Sequence, residues 1–255
     1  MAGWFDRMLT RRLGRRMTTL AARADHLPPA RVAAAAAAAR ALRAAGARLV
    51  DRAEQRLALP VMGEGAVRRP LGCDWAWRPA AWRLPLSPPG LAGAASGAEL
   101  DDGASVFHDC PHGAFAVRQA RNRAAGDVAP FRLEAEVLRF AGSFLSVVVD
   151  LPSAAAAGLT RQHIMRAAAV IEMERKLDIF ARLNIVHGPN TARLVQALPA
   201  PDHNGDAVVE FDLAYSEINE RRVEWIWLDL IFDAPALNRV ALRDLTLLRR
   251  PRNEI

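Results

Sequence analysis

Apolar residues recur every three or four positions from Trp4 to Leu20, where Phe5, Leu9, Leu13, Met17 and Leu20 form one stripe with Trp4 and Met8 beside it. That period predicts an amphipathic helix. Pro28 and Pro29 stop it, and a second helix is predicted from about Ala30 to Leu57 around the seven alanines Ala33 to Ala39. Leu42, Leu49, Val50 and Leu57 give this helix only a narrow apolar stripe. Residues 1–58 are therefore expected to form a helical hairpin whose members pack on each other or on a partner.

The period then disappears. Residues 59–103 are rich in Pro and Gly and carry the run Trp75-Ala76-Trp77-Arg78-Pro79-Ala80-Ala81-Trp82, which predicts an extended linker with its indoles wrapped onto the neighbouring domain. From residue 104 to 255 the period is two. Phe131, Leu133, Ala135 and Val137 alternate with Arg132, Glu134 and Glu136, and the same alternation recurs in Leu177 to Ile185 and Val209 to Tyr215. Further strands are expected at Val106 to His108, Phe115 to Ala120, Phe144 to Leu151, Ile164 to Met173, Trp225 to Phe232 and Arg239 to Leu248. Ala141-Gly142-Ser143, His187-Gly188-Pro189-Asn190 and His203-Asn204-Gly205-Asp206 supply turns between them. About nine short strands without intervening helical patterns argue for an antiparallel, jelly-roll-like sandwich. The fold class expected is α+β, a helical hairpin followed by an all-β sandwich.

Charge sharpens this division. The chain carries a net charge of +6, yet Met1 to Arg56 holds 12 arginines against Asp6, Asp25, Asp51 and Glu54, a local +8 that leaves −2 for the remainder. Only the helical part offers a positive field, so nucleic acid is not an expected partner of the sandwich. Arginines and the stripe across residues 4–20 together fit contact with an anionic membrane surface, while the same stripe fits packing on the second helix. Cys73 and Cys110 are too few for a disulfide framework and leave a single bridge open. No apolar leader and no uninterrupted 20-residue apolar span is visible, so a cytoplasmic location is expected, with the inner membrane surface as the place of any peripheral contact.

Candidate chemistry lies on the polar faces of the strands. Phe180, Arg182 and Asn184 share one parity, as do Trp225, Trp227 and Asp229, and Glu210 and Asp212 point outward on a third strand. Set side by side, these strands would display rings, guanidinium, amide and carboxylate on one surface, a mixture suited to sugars. His187 and Asn190 flank the adjacent turn and extend the candidate ligand-binding set. The competing expectation is that Trp225 and Trp227 lie covered by the linker or the hairpin. His108, Asp109, Cys110 and His112 offer four potential metal ligands within five residues, but the spacing does not match a zinc framework, and no metal is expected. No G-x-S-x-G elbow, P-loop, dinucleotide fingerprint or H-E-x-x-H is present, so no catalytic residue is assigned and no cofactor is expected.

Leu71-Gly72-Cys73-Asp74-Trp75-Ala76-Trp77-Arg78-Pro79, Ile179 to Thr191, Trp227 to Phe232 and the closing Arg249-Arg250-Pro251-Arg252 together resemble an uncharacterised family of alphaproteobacterial proteins. That likeness covers nearly the whole chain and implies no activity. Val240-Ala241-Leu242-Arg243-Asp244-Leu245-Thr246-Leu247 is similar to the last strand of jelly-roll carbohydrate-binding modules, which implies the fold class and no particular site residue. The function expected is a non-catalytic β-sandwich module that recognises a glycan or cell-envelope component. The alternative is a scaffold that binds a protein partner through its Trp-rich sheet face. An enzyme acting on glycans ranks third.

Overall fold

The computed structural model describes residues 2–62, 67, 69–124 and 126–252, and for residues 2–11, 44, 47, 48 and 50–62 it describes the backbone only. The chain divides into two units, residues 1–53 and 54–255. In the first, α1 (Ala2–Ala22) leads through a 3-10 turn at Ala24–His26 into α2 (Pro29–Met62). Pro29 occupies the first helical position, where its missing N–H costs nothing. Proline thus starts the second helix here, while α1 ends several residues earlier.

The second unit is an antiparallel β-sandwich. In chain order its elements are β1 (Trp75–Trp77), α3 (Ala80–Arg83), β2 (Gly90–Ala92), β3 (Ala98–Asp101), β4 (Ala104–His108), β5 (Ala114–Arg121), β6 (Phe131–Arg139) and β7 (Phe144–Asp150). They continue with α4 (Ser153–Ala156), β8 (His163–Met173), β9 (Ile179–His187), β10 (Asn190–Ala197), β11 (Asp206–Asp212), β12 (Val223–Asp233) and β13 (Asn238–Pro251). The first sheet runs β11-β8-β13-β6-β5-β2, with β1 also pairing with β13; the second runs β10-β9-β12-β7-β4-β3.

Period-two alternation explains the core. Leu133, Ala135 and Val137 of β6 and Leu183, Ile185, Leu228 and Leu230 of β9 and β12 are all buried between the sheets. Burying such side chains supplies about 1.5–3 kcal/mol each, which is what holds two sheets of opposite outer character together. Gly188 makes the β9–β10 hairpin tight: its φ is +64°, and an added Cβ would lie 2.9 Å from the Arg222 guanidinium.

Three strands fall inside the stretch expected to be irregular linker. β1, β2 and β3 join the two sheets, each only three or four residues long. β2 extends the first sheet beyond β5 and β3 the second beyond β4, while β1 is called for by β13. The first half of β13 pairs with β6 over residues 238–242 and its second half with β1 over residues 247–249. A β-bulge between Leu242 and Asp244 separates them, and the backbone there needs other partners. Trp82 donates its indole N–H to the Leu242 carbonyl at 2.9 Å, and Asn122 donates to the Arg243 carbonyl at 2.8 Å. Arg78 forks onto Asp244 at 2.7 and 2.8 Å. Trp82 is fully buried, while Trp75 and Trp77 pack against the core, so the linker indoles do wrap onto the sandwich.

The outer face of the first sheet carries a cluster of ion pairs. Glu134 is buried beneath Arg118, Arg132 and Arg239 at 2.7, 2.7 and 2.9 Å. Burial alone would raise its pKa, and hydrogen bonds from Arg239 and Arg132 more than reverse that, holding it below the usual carboxylate range.

Candidate functional site

The outer face of the second sheet has a different composition. β12 is its central ribbon, flanked by β9 and β7. Ile226, Leu228, Leu230 and Phe232 take its inner parity, which turns Trp225, Trp227 and Asp229 outward. The register sets Trp225 opposite Val186, Trp227 between Asn184 and Asp150, and Asp229 between Arg182 and Val148. Ile231 follows, between Phe180 and Ser146. Phe180, Arg182, Asn184, Trp225, Trp227 and Asp229, six of the nine residues singled out from sequence, therefore share one surface.

The rings of Trp225 and Trp227 lie 4.8 Å apart between centroids at an interplanar angle of 35°, and Trp225 is 47% exposed. The competing expectation puts both rings under cover; within this unit the linker leaves Trp225 exposed and Trp227 half-buried. Beside it, the polar groups are fixed. The buried Asp229 carboxylate accepts from Arg182 Nε at 2.5 Å and from Asn184 Nδ2 at 3.1 Å. Arg182 keeps 40% of its side chain in solvent, against 2% for Asp229. Phe107 and Val195, both exposed, extend the same face on β4 and β10.

Asp150 was not foreseen. It lies directly across from Trp227 and accepts a hydrogen bond from the Trp225 side chain. Burial and the neighbouring Asp229 charge raise its pKa above the ordinary aspartate value. It also lines a cavity of about 560 Å³ together with Trp77, Leu84, Leu100, Asp101 and Asp102. Burial raises the pKa of Asp101 as well. Parity alone would have turned Asp150 outward, but its place beside Trp227 is a matter of strand pairing.

Three expected members lie elsewhere. His187 has the inner parity of Ile185, is buried, and accepts from the Asn219 backbone N–H through Nδ1 at 3.3 Å. Asn190 opens β10 at the hairpin tip, paired with His187 rather than with the aromatic rows. Asp212 lies on β11, in the other sheet, so the expected side-by-side placement with β9 and β12 is corrected. There its carboxylate accepts from the Ala214 N–H at 3.0 Å, closing the turn Leu213–Tyr215, and pairs with Arg252 at 3.2 Å.

His108, Asp109 and Cys110 are engaged in local structure. His108 Nδ1 accepts from the Cys110 N–H at 3.2 Å while Nε2 meets the Ala94 carbonyl at 2.9 Å. Asp109 accepts from the N–H and hydroxyl of Ser143 and the N–H of Phe144, which lowers its pKa to about 2. Gly142 is required there, because a Cβ would lie 2.3 Å from the Asp109 carboxylate. Cys73 and Cys110 are both free thiols. Trp4 and Phe5, expected at the apolar end of α1, have side chains outside the described residues.

Among solved structures, the sandwich is similar to the enzymatically active domain of tailspike protein 4 from bacteriophage CBA120, at 5% identity and a TM-score of 0.40 over 58% of this chain. That match spans only 19% of the tailspike chain. It is also similar to the family 11 carbohydrate-binding module of Clostridium thermocellum, at 9% identity and a TM-score of 0.37, covering 65% of this chain and 97% of the module. A third likeness is to the CBM22-1 xylan-binding domain from Paenibacillus barcinonensis, at 10% identity and a TM-score of 0.34 over 64% of this chain and all of that domain. At these values the likenesses assign no ligand. No curated protein matches the chain in sequence. The resemblance seen in the sequence does correspond to a defined family: over residues 1–255 the chain belongs to the family of unknown function DUF6478.

Proposed function

We propose that the chain recognises a glycan, such as a cell-envelope carbohydrate, on the outer face of its second sheet and performs no chemistry on it. The observation that carries this reading is the exposed Trp225 ring, packed against a half-buried Trp227, beside the fixed Asp229–Arg182–Asn184 group. Apolar sugar faces stack on indoles, and hydroxyls pair with carboxylate, guanidinium and amide. Because the sheet fixes these side chains in advance, little ordering cost falls on binding. Affinity electrophoresis through gels cast with bacterial envelope polysaccharides tests it. The intact chain should be retarded by at least one polysaccharide, and Trp225→Ala should migrate freely while remaining folded.

A second reading has its own support. Phe107, Val195 and Trp225 are all exposed on this face, and such a patch also suits a protein partner. Free migration of the intact chain through every polysaccharide gel would favour that scaffold role.

A further inference from the structure

Among its described residues the helical hairpin has no buried interior. None of its described side chains is buried, and only Met17, Leu20, Ala24, Leu27, Val32 and Ala35 are even partly covered. Between the helices lies an open groove of about 520 Å³ lined by Met17, Leu20, Leu27, Val32, Leu42 and alanines, with Arg43 at its rim. Leu13, Leu42 and Leu49 are exposed. Helices of this kind gain most of their stability by covering an apolar face, and among the described residues none covers this one.

Charge selects the occupant. From residue 12 to 43 the hairpin carries Arg12, Arg15, Arg16, Arg23, Arg31, Arg40 and Arg43 against Asp25 alone. A second copy would set one strongly positive unit against another. Nucleic acid would match the charge but offers no apolar phase for the leucines. An anionic bilayer surface supplies both, with phosphates for the arginines and acyl chains for the groove. Among the described residues no helix is long and apolar enough to cross a membrane, so such a hairpin lies in the interfacial plane.

We propose that the α1–α2 hairpin docks on an anionic phospholipid surface, with acyl chains filling the groove lined by Met17, Leu20, Leu27, Val32 and Leu42. The site is independent of the sandwich face. Flotation of the full chain with vesicles of phosphatidylcholine alone or mixed with phosphatidylglycerol tests the proposal. The chain should float with the mixed vesicles only, and added salt should weaken the association. Replacing Arg12, Arg15 and Arg16 with Gln should lower affinity about tenfold or more. A Leu20→Ser, Leu42→Ser variant should also lose flotation, with circular dichroism confirming that the sandwich is intact. Equal flotation with neutral vesicles, no flotation with either, or wild-type behaviour of the leucine variant would overturn it. So would a stable dimer of the free chain in sedimentation.

Discussion

Asp229 shows how a single buried carboxylate organises the candidate surface. It faces outward from a central strand, yet it is almost fully buried and holds Arg182 and Asn184 in place. Asp229→Ala should cost about 1.5–3 kcal/mol, toward the lower end because Arg182 is partly solvated, and should abolish polysaccharide retention. Urea denaturation beside gel retardation checks both effects. Asp109 gives a pH signature instead. Its folded pKa of about 2 lies below the ordinary value of 3.8, so its contribution is complete above the higher value and lost as pH falls toward the lower. Thermal melts between these pH values should show a steeper decline for the wild type than for Asp109→Asn. Parallel curves would contradict the capping role.

At the scale of elements, the short strap of β1 and α3 completes β13. Trp82→Phe should cost about 1–3 kcal/mol by orphaning the Leu242 carbonyl, and Trp82→Ala about 3–5 kcal/mol by adding a cavity, both measurable by equilibrium unfolding. This strap also marks where sequence reading reaches its limit. The nine strands expected are present, with ends shifted by a few residues, because burial on one face imposes a period that eight of them carry over seven or more residues and β4 over five. β1 and β2 are three residues long, too short to display any period. β10 was passed over for another reason. It forms an exposed edge strand, Asn190–Ala197, whose inward residues, Ala192 and Leu194, are only partly covered. Parity likewise made six members of the candidate face legible, and it held the signal that His187 points inward. Which sheet receives which strand is written in no local pattern. Asp212 was therefore grouped with strands it never meets, and Asp150 was passed over.

For the molecule as a whole, the two outer faces of the sandwich have different fates. One carries arginines converging on Glu134, the other displays tryptophan, phenylalanine and a fixed ion pair to solvent. The separation of charge follows the same division, a strongly basic hairpin and a slightly acidic sandwich. Together these features support the two proposals made above, an anionic surface for the basic unit and a glycan for the open face of the sandwich. The recognition face is the central claim, and a glycan array probed with the intact chain and with a Trp225→Ala, Trp227→Ala variant tests it most directly. The account predicts signal on at least one glycan class for the intact chain and its loss in the folded variant. No signal on any glycan, or an equal signal from both proteins, would contradict it.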